Sequence, residues 1–67
     1  MIKLLAPRDL AEILHVSVGH IYRLIRRRRV PFVKIGGAVR FRSESIDKWI
    51  AQQEIVTVAQ VLRGKRS

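Results

Sequence analysis

The chain of 67 residues contains no cysteine. Disulfide frameworks, thiol redox chemistry and cysteine-based zinc sites are thereby excluded. Acidic residues are scarce, five against fourteen Lys plus Arg. No apolar run approaches the roughly 20 residues that span a bilayer. Met1 to Ala6 holds one Lys and four large apolar residues, too short for a secretory apolar region, so a cytoplasmic, nucleoid-associated protein is expected. No glycine-rich phosphate loop is present. Ser17 and His20 are three apart, but Ser17 is better used as a helix cap. His15 and His20 are five apart, a poor spacing for joint ligation on one helical face. Neither a catalytic site, a metal, a cofactor nor a small-molecule ligand is expected.

What is present is positive charge, a formal +9. A length of 67 residues allows one small domain. Apolar residues reach 48%, too many for a disordered basic tail. The charge is also concentrated. Between residues 15 and 42 stand Arg23, Arg26, Arg27, Arg28, Arg29, Lys34, Arg40 and Arg42, with no acid among them. The segments on either side, 1–14 and 43–54, are neutral and acidic. Like charges packed so densely oppose folding, and a polyanionic partner relieves that repulsion. Arginine predominates, which suits forked contacts to phosphates and guanine edges. Double-stranded DNA is the expected partner, and no membrane is.

Local signals give the element order. Pro7 suits the first position of a helix over about 7–14, with Leu10, Ala11, Ile13 and Leu14 as its apolar face. Ala6 is a poor cap, so that start leans on packing by Leu4 and Leu5. Ser17 caps a second helix over about 18–28, with Ile21, Leu24 and Ile25 inward. Its outward face shows Gly19, His20, Arg23, Arg26 and Arg27, with Tyr22 at the edge. Two short helices joined by three residues form a helix-turn-helix. Val30-Pro31 stops the second helix. Two β-prone runs about Gly36-Gly37 then read as a hairpin. A two-residue turn puts Phe32, Lys34, Val39 and Phe41 on one face, with Phe41 inside, and Val33, Ile35, Ala38 and Arg40 on the other. Ser43 caps a third helix over about 44–53, with Ile46, Trp49 and Ile50 inward and Trp49 as the largest core member. The fold class is mainly α with a small β-hairpin, in the order helix-helix-hairpin-helix of a winged helix-turn-helix. The domain covers 1–53, and 54–67 is a basic C-terminal extension. Its stripe of Ile55, Val58, Ala59 and Leu62 reads equally as helix or strand, and as a contact surface or a cover over the hairpin.

Four stretches carry a family resemblance: LLAPRDLAEILHVS (4–17), HIYRLIRRRRVP (20–31), VKIGGAVRF (33–41) and SIDKWI (45–50). In this order and spacing they resemble the small excisionase and AlpA-type DNA-binding proteins, a branch of the MerR-like winged helices. Departures are His15 and Arg28 where such proteins often carry glycine, and Gly19 where a polar residue is common. His15 can take the left-handed conformation at some cost. At Arg28 either the helix runs on or the residue takes strained angles.

A winged helix-turn-helix places the N-terminal part of its second helix in the major groove. That points to Ser17, Val18, Gly19, His20 and Arg23, with Arg23 gripping either guanine or phosphate. Tyr22 either touches the sugar-phosphate chain or packs half-buried. Arg26, Arg27, Arg28 and Arg29 would take the backbone. The wing, tipped by Gly36 and Gly37, would skirt the minor groove with Lys34 and Arg40 as contacts and Arg42 close by. The resemblance implies an excisionase: no enzyme, but a factor that bends DNA and steers a site-specific integrase toward excision of a mobile element, with cooperative self-association on DNA. A prophage-type transcriptional regulator, or a protein-interaction module using Ile55, Val58 and Leu62, are the alternatives.

Overall fold

The computed structural model describes residues 3–55. Six elements follow in order: β1 (Leu4–Leu5), α1 (Pro7–Leu14), α2 (Val18–Arg26), β2 (Val33–Ile35), β3 (Ala38–Arg42) and α3 (Ser43–Gln53). The strands form one antiparallel sheet in the order β1-β3-β2. The three helices and this sheet make an arrangement compatible with a helix-turn-helix carrying a hairpin wing.

Pro7 opens α1 as its spacing suggested, and Ala6 before it is extended. Ala6 has no capping side chain, so the cap runs backwards: the Ala6 N–H donates to Asp9 Oδ2 at 2.9 Å. Leu4 and Leu5 do more than pack. They pair with Arg42 and Phe41, and the Ser43 N–H donates to the Lys3 carbonyl at 3.2 Å. This two-residue strand has its partner far along the chain, which no local pattern announces.

Both helices of the helix-turn-helix end in the same way. After α1, His15 turns left-handed at φ 58. The His15 N–H donates to the Glu12 carbonyl at 3.3 Å and the Val16 N–H to that of Ala11 at 3.0 Å. After α2, Arg28 turns left-handed at φ 53. The Arg28 N–H donates to the Ile25 carbonyl at 3.0 Å and the Arg29 N–H to that of Leu24 at 2.9 Å. Each is a Schellman closure, which satisfies carbonyls that a helix end otherwise orphans. Helix α2 therefore stops at Arg26, two residues short of the expected end, because Arg28 takes the strained angles rather than extending the helix.

Leu5, Leu10, Ala11, Ile21, Val30, Phe41 and Ile46 are buried together, so every element except β2 contributes to the core or adjoins it. Phe32 and Val39 pack against this cluster from the hairpin. The register pairs Val33 with Arg40, Lys34 with Val39 and Ile35 with Ala38. A two-residue turn is thus in place, with Phe41 fully buried. Trp49 does not lead the core as expected; the largest fully buried side chains are Phe41, Leu10 and Ile21. Trp49 sits half-buried at the seam, where its indole N–H donates to the Arg29 carbonyl at 2.7 Å. Ile13 and Ile50, also expected inward, are exposed. Ser43 is the first residue of α3 rather than its cap; Arg42 precedes it in extended conformation with no side-chain cap bond.

Candidate nucleic-acid interface

Helix α2 is held by one face and open on the other. Ile21 is buried, with Leu24 and Ile25 packed beside it. Ser17 starts the helix from extended backbone, its Oγ accepting the His20 N–H at 3.1 Å. That bond fixes the first turn and holds Val18, Gly19 and His20 at the solvent-facing end. At the i, i+4 spacing of neighbours on a helix, Val18, Tyr22 and Arg26 form one exposed row and Gly19, Arg23 and the capping Arg27 a second. Tyr22 is 47% exposed, so about half of it stays open to a partner from the edge of the helix. At Gly19 an added Cβ would meet only Ser17 Oγ at 3.9 Å, so packing does not require glycine there. Its absence of side chain leaves the helix backbone open to a partner.

The four consecutive arginines do not form one patch. His20, Arg23, Arg27 and Arg29 border one hollow with Leu24 at its base. Arg26, Arg28 and Lys34 border another with Ile25, Phe32 and Val39. The run is thus divided at Arg26 and Arg27, which face different hollows, while Arg28 and Arg29 also meet in a third hollow beside Trp49. The left-handed turn at Arg28 contributes to this division, because the chain leaves the helix in the middle of the run. Lys34 joins the second group from the hairpin, on the same strand face as Phe32 and Val39.

Arg40 and Arg42 stand apart from both groups. Arg40 lies half-buried on the opposite face of the hairpin, its Nη1 donating to the Val39 carbonyl at 2.7 Å. Arg42 is at the base of β3, with Nη2 3.9 Å from Glu44 Oε1. Both side chains of that pair are well exposed, so it holds Arg42 weakly. It is the sole ion pair among the described residues. The other seven cations of 15–42 have no carboxylate within ion-pair distance among them.

At the hairpin tip Gly36 takes φ 61, the positive value that a primed turn needs at its first central position. A Cβ at Gly36 or Gly37 would meet nothing within 4 Å, so the tip is slender and open on all sides.

Trp49 went unrecognised as a support for this surface. Its bond to the Arg29 carbonyl ties α3 to the end of the arginine run, and Trp49, Gln52 and Gln53 continue the surface beyond Arg28 and Arg29. A tryptophan N–H that must find an acceptor was the available signal, although sequence does not say which carbonyl takes it. Ile55 is 89% exposed, while Val58 and Leu62 lie outside the described residues. Among the described residues no group of three or more His, Cys, Asp or Glu is placed to hold a metal, and no helix is long and apolar enough to cross a membrane.

In comparisons with known proteins, residues 4–54 match the family model of the helix-turn-helix domain. No curated protein and no solved structure gives a significant match.

Proposed function

The chain belongs to the helix-turn-helix domain family, and from that membership and the cations beside α2 we propose that it is an excisionase-type accessory factor. Membership in the family indicates DNA binding. The proposal adds sequence specificity, a winged mode of docking, and a role in recombination without chemistry of its own.

The observation that carries this reading is the division of the arginine run about α2. A helix lying in a major groove has a phosphate strand on each side of it. Arg27 and Arg29, with His20 near them, lie toward one strand. Arg26, Arg28 and Lys34 lie toward the other. Val18, Gly19 and Arg23 then meet the base edges between the strands, Arg23 as the forked donor to guanine. Tyr22 reaches the sugar-phosphate chain. The hairpin acts as the wing, with Gly36 and Gly37 at the minor groove and Arg40 and Arg42 along its flank. The resemblance of 4–51 to excisionases supplies the purpose: shaping DNA, with other copies alongside, for a site-specific integrase. Residues 54–67, through Ile55, Val58 and Leu62, are the segment assigned to contact that integrase or a neighbouring copy.

The test is capture of sheared host DNA by the purified chain at about 150 mM salt, where non-specific binding is weak, followed by sequencing. Clustered repeats of one motif beside an integrase attachment site are expected. A single site overlapping a promoter would replace this reading with a transcriptional one, and enrichment of nothing would remove sequence-specific binding altogether.

A further inference from the structure

The two faces of the β2–β3 hairpin differ in what they pack against. Phe32, Val39 and Phe41 turn to the core. Side chains alternate along a strand, so Val33, Ile35, Ala38 and Arg40 occupy the outer face. Ile35 pairs with Ala38 immediately before the turn and is 54% exposed. Beyond it stand only Gly36 and Gly37, without side chains. Ile35 is therefore the outermost apolar group of the hairpin. It cannot reach the core from that face, and a β-branched residue has a stiff χ1 that holds its methyl groups in one direction.

Its neighbours are cationic. Lys34 precedes it on the inner face, and Arg40 shares the outer face two positions along the partner strand. A slim tip of this kind is far below the roughly 800 Å² per partner of a stable protein interface. A single apolar side chain flanked by cations fits a different occupant, a DNA base step whose phosphates lie to either side. We propose that Ile35 is a wedge: at the wing tip it enters the minor groove and presses between two base pairs, kinking the duplex. Lys34 and Arg40 hold the phosphates beside it, and Gly36 and Gly37 keep the tip narrow enough for a groove about 6 Å wide. Steps that unstack at small cost, TA and CA/TG, are the preferred points of entry. This inference rests on the DNA-binding reading above and adds to it the residue that bends the DNA.

The test uses the full chain and a duplex it selects from a random library, labelled at both ends with a donor and an acceptor. Binding is followed by anisotropy and bending by energy transfer. Ile35→Ala is expected to bind within about threefold of the original chain but to lose at least roughly half of the bend, because phosphate contacts persist while the wedge is gone. Ile35→Leu keeps the bend. Ile35→Lys loses it despite the added charge, which separates a wedge from an electrostatic contact. Circular dichroism confirms that each variant folds. Full bending by Ile35→Ala overturns the proposal, as does sedimentation showing that Ile35→Ala abolishes self-association of the free protein, since Ile35 would then cover a second copy. Binding by the original chain without any bend overturns the wedge alone. Selection of no duplex overturns the DNA reading together with it.

Discussion

Replacing Arg28 by glycine is expected to raise stability while lowering DNA affinity. The Arg28 backbone is left-handed at φ 53, a conformation that costs an L-residue about 1–2 kcal/mol. Glycine escapes that cost, but its freer unfolded chain returns about 0.4–1 kcal/mol. The Schellman bonds of Arg28 and Arg29, at 3.0 and 2.9 Å, are made by main chain and survive the change. The net gain is about 0.5–1 kcal/mol, or a rise in Tm of about 4 °C for a domain of this size. On DNA the same change removes one cation from the wing-side hollow, so the slope of log K against log salt becomes less steep by about 0.9. Arg28→Ala separates the two effects. It loses the same cation and keeps the left-handed cost, so its Tm stays near the original while its salt slope falls equally. Thermal unfolding by circular dichroism and anisotropy of a labelled duplex give both quantities. A lower Tm for Arg28→Gly would refute the reasoning, since the arginine side chain, not the backbone closure, would then stabilise the end of α2.

Ser17→Ala removes the Oγ that accepts the His20 N–H at 3.1 Å, and urea unfolding should show a loss of about 1 kcal/mol; no loss would mean that the first turn of α2 is fixed by packing alone. Phe41→Ala empties a fully buried site where α1, α3 and β1 meet β3. Its cost of about 3–5 kcal/mol is comparable to the whole stability of so small a domain, so the chain should lose its cooperative transition. Trp49→Phe keeps a ring at the seam but forfeits the 2.7 Å bond to the Arg29 carbonyl, with a loss of about 1 kcal/mol in urea unfolding and weaker DNA binding through a less fixed Arg29; unchanged values in both measurements would remove Trp49 as a support.

Elements that announce themselves locally were legible. Proline at the start of α1, serine before α2 and paired glycines between β-prone runs each act within a few residues, and all three mark what they suggest. Elements set by distant partners were not. Strand β1 exists because Leu4 and Leu5 meet Arg42 and Phe41. The end of α2 was misplaced because Val30-Pro31 is a strong stop signal, whereas the chain turns earlier, through Arg28, and buries Val30 in the core. Trp49 was misplaced for a chemical reason: its size favours the interior, but its N–H needs an acceptor, and the carbonyl it finds is at the seam. In the candidate site, spacing alone identified the exposed side of α2. How Arg26 to Arg29 divide among the hollows depends on where the helix ends, so it followed only from the structure.

The most direct test of the central claim, that the cations around α2 and the hairpin engage a DNA backbone, is the salt dependence of duplex binding by the full chain. With about six phosphates neutralised, log K is expected to fall against log salt with a slope near −5. A slope shallower than about −2 would contradict the account, because about two phosphates would leave most of the cations lining the two hollows unengaged.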